Sequence, residues 1–395
     1  MKPVLDGMLL VEISADIAGA YASMLLAEMG MDCIKVQPPA ASPASRQPGF
    51  ACWDRSKRGV AVDVTSSRGR EVVRGLVSRA DVLVIDCSPA RLRRLGLDYD
   101  YLAASNPRLV YCHIPLWGSR GPLAEWLGDE YVVAAYAGIM GLQGGYGQPP
   151  VYLMLPLASY GAAMLTAYGA AAALYVREET GRGQKVEVSL LAGAVMQQTA
   201  NFIRSEAVVP PLLTHSIQQG AAPVYRLYEC ADGRWLMLCC GNQNFWNKLL
   251  IALDRLDLAA DPRFEGAPWA VQPVENILAL VDIMRQIFIK RPREYWLKLL
   301  SEADVPVAPV STRRQFMEDP QVRHNGMVIE IEDPQFGLTR QIGVPITLTE
   351  NPGVVKGPAP LPGQHTRQVL EELGYSGAEI AQMAAQGVVA CAGEG

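Results

Sequence analysis

Short apolar runs recur through the amino-terminal third of this sequence: Met8–Ile13, Asp32–Val36, Asp81–Ile85 and Leu109–Ile114. Between them lie stretches with helical patterning, Ile17–Met29 ending at Gly30 and Glu71–Ser78. Strands joined through helices pair in parallel, because the crossover has to return the chain to the edge at which the strand began. The pattern predicts βαβ units and a parallel sheet with helices on its faces, an α/β fold.

A sheet of this kind invites a nucleotide at the turn from its first strand into its first helix. That turn reads Ser14-Ala15-Asp16-Ile17-Ala18-Gly19 and lacks GxGxxG, and no GxxxxGK[ST] occurs in the chain. Neither a dinucleotide fold nor a phosphate loop has a motif behind it. Gly144-Gly145-Tyr146-Gly147 follows a helical stretch and reads as a flexible loop.

The 395 residues exceed the roughly 250–300 that one core sustains, so two domains are expected. Residues 1–203 form the first part of a large domain, 204–224 with Pro210-Pro211 read as a linker, and 225–325 form a smaller α+β domain. The smaller domain opens with a hairpin around Asp232-Gly233 and continues with helices near Phe245–Leu253, Val274–Ile289 and Tyr295–Ala303. Residues 326–395 return to the large domain through a Pro/Gly crossing at Gly353–Gly363. They end in a helix near Thr366–Leu373 and a last helix whose capping box is Ser376 with Glu379.

Nothing from Tyr131 to Val176 carries a charge, and Leu157–Val176 is long enough to span a bilayer. It is rich in Ala and Gly rather than Leu and Ile and has no companion segment, so a helix buried on all sides is the reading taken. The net charge of −5, from 35 basic and 40 acidic side chains, offers no field for nucleic acid or an anionic membrane. The eight cysteines show no CxxC, the four histidines are widely separated, and the amino terminus lacks signal-peptide features. A cytoplasmic protein with reduced thiols and no metal centre is expected.

The chain resembles the class III CoA-transferase (CaiB/BaiF) family over nearly its whole length. The landmarks are ISADIAGAYASMLLAEMGMDCIKV (13–36), DRSKRGVAVDV (54–64), ADVLVIDCSPARLRRLGLDYDYL (80–102), NPRLVYCHI (106–114), ETGRGQKVEVSLL (179–191), DGRWLML (232–238), DPRF (261–264) and PAPLPGQHT (358–366). The resemblance implies a Rossmann-like large domain built from both chain ends, a smaller middle domain, and two subunits interlocked like links of a chain. It also implies transfer of CoA between carboxylic acids through an Asp, with CoA or a CoA thioester as substrate and no tightly bound cofactor. A carboxylate suits that role because its anhydride and its thioester both remain reactive acyl donors.

In the family that Asp lies in a P-x-A-D stretch ahead of TGRGQ. Here the stretch is Pro156-Leu157-Ala158-Ser159, and Ser159 stands 21 residues before Thr180. The nearest acids are Glu130 and Glu178, so no small shift of register restores the carboxylate. A serine hydroxyl needs an adjacent base, and no GxSxG elbow presents this one. The reading taken is a small residue in the vacated space or at a helix cap, with a Ser159 nucleophile served by a base that the fold brings near as the lesser alternative.

Other departures fall at positions that surround the CoA nucleotide in the family. KVE has become Lys35-Val36-Gln37, and ENFRPG has become Ile85-Asp86-Cys87-Ser88-Pro89-Ala90. The NRGK-type segment reads Asp54-Arg55-Ser56-Lys57 and keeps its basic pair. Candidate phosphate ligands are Arg55, Lys57 and Arg58 in one cluster, Arg91, Arg93 and Arg94 in another, and Arg46 in a loop. A solvated charged turn stands equally open for these clusters. His365, in the GQHT motif, is expected to make a structural hydrogen bond.

The expectation is a subunit without the nucleophile, interlocked with a paralogous Asp-bearing chain in a heterodimer or heterotetramer. Among two-subunit members it looks most like a component of the succinyl-CoA:(R)-benzylsuccinate CoA-transferases of anaerobic toluene degradation, which implies a succinyl-CoA donor and an aromatic or dicarboxylic acceptor. Two alternatives stand beside it. One is a homodimeric racemase, isomerase or transferase using other groups, such as Asp129-Glu130. The other is a CoA-ester-binding protein without turnover.

Overall fold

The computed structural model describes residues 2–40, 46–144, 148–199 and 219–392. By its internal contacts the chain divides into two units, Met1–Ala137 with Met154–Asn201 and Pro320–Gly395, and Gly138–Leu153 with Phe202–Asp319. Residues 138–153 thus group with the second unit rather than the first, and the return to the first unit falls at 319–320 instead of 325–326. Of the expected linker, 204–218 lies outside the described residues, and Gly220–Ala222 at its end is a strand paired with Tyr225–Glu229.

The first unit is built on a sheet. Strands β1 (Leu9–Ile13), β2 (Asp32–Gln37), β3 (Arg58–Val62), β4 (Val82–Ile85), β5 (Val110–His113) and β6 (Lys185–Glu187) run parallel in the order β3-β2-β1-β4-β5-β6. The strand Val389–Ala390 adds to β3 in antiparallel sense, so the two chain ends close one sheet. Every residue of β4 is buried, as a strand covered on both faces requires. The expected strands agree with this to within a residue or so at each end. The sequence reading did not anticipate β3, whose Arg-Gly-Val-Ala-Val begins with a charge and follows three more charged residues within five positions.

The helices up to residue 196 are α1 (Ile17–Glu28), α2 (Phe50–Trp53), α3 (Ser67–Val77), α4 (Pro89–Leu95), α5 (Tyr99–Ser105), α6 (Glu130–Tyr136), α7 (Ile139–Gln143), α8 (Leu157–Thr180) and α9 (Leu190–Met196), of which α7 belongs to the second unit. Local chemistry sets their ends. The Ser88 hydroxyl accepts from the Arg91 amide and Pro89 opens α4, which stops at Gly96 with φ +62°. The last helix, Gly377–Ala385, has the expected capping box between Ser376 and Glu379. Of the glycine-rich loop, Gly144 ends α7, and Gly145, Tyr146 and Gly147 lie outside the described residues.

Helix α8 is the one described helix long and apolar enough to cross a membrane. Ala158, Gly161, Ala162, Ala163, Ala170 and Ala173 are buried on it, and the small side chains allow close approach to α1 and α9. Within the single chain, one face of α8 stays open. Tyr168 and Tyr175 are 76% and 72% exposed, and with Met164, Met8, Leu25 and Met29 they border an apolar cavity of about 750 Å³.

The second unit has its own core. The hairpin Tyr225–Glu229 with Trp235–Cys239 forms as its Asp232-Gly233 turn predicts, with Gly233 at φ +69°. Gly220–Ala222 and Val307–Pro309 flank it in a four-stranded sheet. Helices Gln243–Ala252, Val274–Phe288 and Arg293–Glu302 cover that sheet with Trp246, Leu280, Phe288 and Trp296.

Candidate functional site

In an open α/β sheet, ligands bind outside the carboxyl ends of the strands where the strand order reverses. Here that point lies between β1 and β4. Ser14, Ala15 and Asp16 follow β1, and Asp86 and Cys87 follow β4. One carboxylate oxygen of Asp86 accepts the amide hydrogens of Ala15 at 2.8 Å and Asp16 at 2.9 Å, so a side chain of the protein occupies the head of α1. Burial, with the Asp16 carboxylate beside it, pushes Asp86 up to about 7. Next to these ends, a cavity of about 310 Å³ is bordered by Ser14, Gln37, Pro38, Arg46, Phe50 and Pro360.

Ser159 occupies the first turn of α8, a helix with no capping side chain of its own. Glu130, the first residue of α6, supplies the cap. One carboxylate oxygen accepts the Ala158 amide at 3.0 Å, and the other accepts the Ser159 amide at 2.6 Å and the Ser159 hydroxyl at 2.7 Å. The negative charge sits at the positive end of a 24-residue helix, where it is stabilised. Both side chains are buried, Ser159 at 2% exposure and Glu130 at 8%. The neighbouring Asp129 serves α6 instead, and its carboxylate caps that helix by accepting the Tyr131 and Val132 amides at 3.0 Å. Tyr160, next to Ser159, packs edge-on against Tyr21 and Trp53, with ring centroids 5.7 and 6.4 Å away.

The basic clusters expected from sequence do not converge. Arg55 is fully buried, with its guanidinium forked onto Glu28 at 2.5 and 3.1 Å and donating to the Ile342 carbonyl. The Lys57 ammonium is buried among Glu12, Asp54 and the Ala20 carbonyl at 2.6, 3.1 and 2.9 Å. These two cations are structural and face the interior, not a phosphate. Arg58 begins β3 and pairs with Asp32 and Glu372 at the amino edge of the sheet, opposite the cleft. Arg46 borders the 310 Å³ cavity but already donates to Gln335, Asp333 and the Ala359 carbonyl. Arg91, Arg93 and Arg94 are exposed on α4, with Arg91 in the first turn beyond the carboxyl end of β4. His365 accepts the Gly59 amide through Nδ1 at 3.1 Å, a hydrogen bond that holds the return segment to β3.

Sequence reasoning missed the buried network that supports the cleft floor. Lys35 bonds Asp54 at 2.6 Å and Glu12 at 3.1 Å, and Glu12 also accepts the Ser14 hydroxyl. Burial alone would raise the Asp54 carboxyl, but Lys35 and Lys57 hold it below its usual range. The signals for this network were the charged residues inside largely apolar strands, Glu12 in β1 and Lys35 in β2.

A sequence model of CoA-transferase family III matches residues 5–366. The chain belongs to that family. Among curated family members, it is 28% identical to mouse (Mus musculus) succinyl-CoA:glutarate CoA-transferase over 98% of this chain and 91% of that one. It is 30% identical to the subunit BbsE of the succinyl-CoA:(R)-benzylsuccinate CoA-transferase of Thauera aromatica, over 94% of this chain and 95% of that one. Among solved family structures, a CAIB/BAIF protein from Brucella suis superposes with a TM-score of 0.81 at 28% identity, covering 94% and 100% of the two chains. The α/β fold with a large domain closed by both chain ends is that of the family.

Proposed function

We propose that this chain is the subunit without the nucleophile of a two-chain class III CoA-transferase, and that an Asp-bearing paralogue carries the covalent chemistry. The observation that carries this reading is Ser159. It stands where the family pattern has its Asp, it is buried, and its hydroxyl proton is given to a carboxylate that is capping a helix. A catalytic carboxylate would attack the acyl thioester carbon and expel CoA thiolate. The thiolate would then attack the resulting anhydride, releasing the donor acid and leaving a thioester that the acceptor carboxylate resolves in the same two steps. Ser159 offers neither the charge nor the leaving-group chemistry for this sequence.

The similarity to BbsE favours a two-chain assembly, a succinyl-CoA donor and an aromatic or dicarboxylic acceptor. The exposed face of α8 with its apolar cavity suits an interlocked partner that covers it. The loss of Arg55 and Lys57 to the interior agrees with a weakened CoA seat in this subunit. The protein is read as cytoplasmic.

Native mass spectrometry of the protein from its source tests the reading. An assembly with a second chain of similar mass, bearing Asp in the matching stretch, is the expected result. A homodimer active in CoA transfer would overturn it.

A further inference from the structure

Four aromatic side chains gather beside the position of Ser159. Tyr21 lies on α1, Phe50 and Trp53 on α2, and Tyr160 on α8. Their rings meet edge to face, with Tyr21 to Tyr160 at 5.7 Å and 72°, Trp53 to Tyr160 at 6.4 Å and 64°, and Phe50 to Trp53 at 5.2 Å and 89°. All four are only partly buried. Gly49 makes the arrangement possible, because a Cβ there would come within 2.6 Å of the Trp53 ring. Phe50 belongs both to this cluster and to the wall of the 310 Å³ cavity, in which Arg46 is the guanidinium.

We propose that these rings form an acyl subsite in this chain that selects an aryl-substituted carboxylate, or its CoA ester, over an aliphatic one. Rings set edge to face leave both ring faces and ring edges open, and a further ring can add to the cluster by the same geometry. An aliphatic acyl group gains only area from the same wall. Burial and the neighbouring Tyr21 raise the Tyr160 phenol, so it stays protonated and can donate to a carboxylate oxygen.

This inference rests on reading the chain as a CoA-transferase subunit. The test is equilibrium binding of 2-benzylsuccinate and succinate, which differ by one benzyl group, to the intact assembly by isothermal titration calorimetry. The expected result is that benzylsuccinate binds about tenfold tighter or more. Trp53→Leu and Tyr160→Leu in this chain should weaken benzylsuccinate binding about tenfold more than succinate binding, whereas Trp53→Phe keeps the preference. Circular dichroism melts confirm that the variants are folded. Equal affinity for the two acids, or a preference unchanged in both leucine variants, overturns the proposal. Binding needs no turnover, so an assembly that fails to transfer CoA yet keeps the aryl preference counts against the proposed function alone.

Discussion

The Ser159 hydroxyl lies 2.7 Å from Oε2 of Glu130, the oxygen that also accepts the Ser159 amide at 2.6 Å. Two donors from one residue thus converge on a single carboxylate oxygen, and the Ala158 amide fills the other. The geometry is that of a side-chain cap supplied from a different helix. It brings a carboxylate to Ser159, yet both oxygens of that carboxylate are already taken up by three donors. The hydroxyl is satisfied rather than presented.

Ser159→Ala should therefore leave CoA transfer by the assembly within about twofold of the parent and cost about 1–2 kcal/mol of stability, the worth of one hydrogen bond to a charged group. The measurement pairs steady-state transfer with a urea unfolding midpoint. A loss of roughly a hundredfold or more in kcat from a folded variant would instead make Ser159 a nucleophile with Glu130 as its base.

Ser159→Asp places a second carboxylate against Glu130. Two like charges at hydrogen-bond distance share a proton, so the apparent pKa of one member of the pair is raised. A carboxyl whose folded pKa lies above its unfolded value favours folding most when protonated. The variant should lose stability relative to the parent as pH rises from about 4, and urea midpoints at pH 5 and pH 8 read this directly. Incubated with succinyl-CoA, the variant should also carry CoA as a thioester on the peptide containing position 159, detected by mass spectrometry. Absence of that adduct in a variant that still binds CoA would show that position 159 is not where the family keeps its nucleophile.

The sheet was legible because β1, β2, β4 and β5 are mostly apolar runs of strand length. The roles of the basic residues were not. Arg55 and Lys57 read as a phosphate cluster because their partners are remote in sequence: Glu28 lies 27 residues before Arg55, and Glu12 lies 45 before Lys57. Only folding reveals that each charge is already matched. The same holds for Asp129-Glu130, where adjacent acids serve two different helices.

Asp86 should make stability depend on pH. Burial, with Asp16 nearby, raises it to about 7 from an ordinary value near 4. Folding therefore favours its protonated form, so its contribution is full below about pH 4, declines as pH rises through about 7, and is flat beyond. Asp86→Asn removes the charge and keeps an oxygen for the Ala15 and Asp16 amides. The variant should gain on the order of 1 kcal/mol over the parent at pH 8 and nothing at pH 4. Urea midpoints for the two proteins across that range check this, and parallel curves would rule out the Asp86 charge as the cause.

Arg55 and Arg91 should respond in opposite ways. Arg55 is buried on Glu28, whose carboxyl is raised by burial and drawn back down by Arg55. Replacing it with Met strands that carboxylate in the interior at a cost of about 3 kcal/mol or more. Arg55→Lys should rescue only part of this, because an ammonium cannot reproduce the fork at 2.5 and 3.1 Å. Arg91 is exposed beyond the carboxyl end of β4, and Arg91→Ala should change stability by less than about 0.5 kcal/mol. If this subunit receives a CoA phosphate, Arg91→Ala weakens CoA binding several-fold at low salt and less at high salt, as screening of an exposed charge requires. Calorimetric titration of CoA into both variants, alongside their unfolding midpoints, separates the two roles. A folded Arg55→Met variant with unchanged stability and lost CoA binding would return Arg55 to the phosphate site that its place in the sequence suggested.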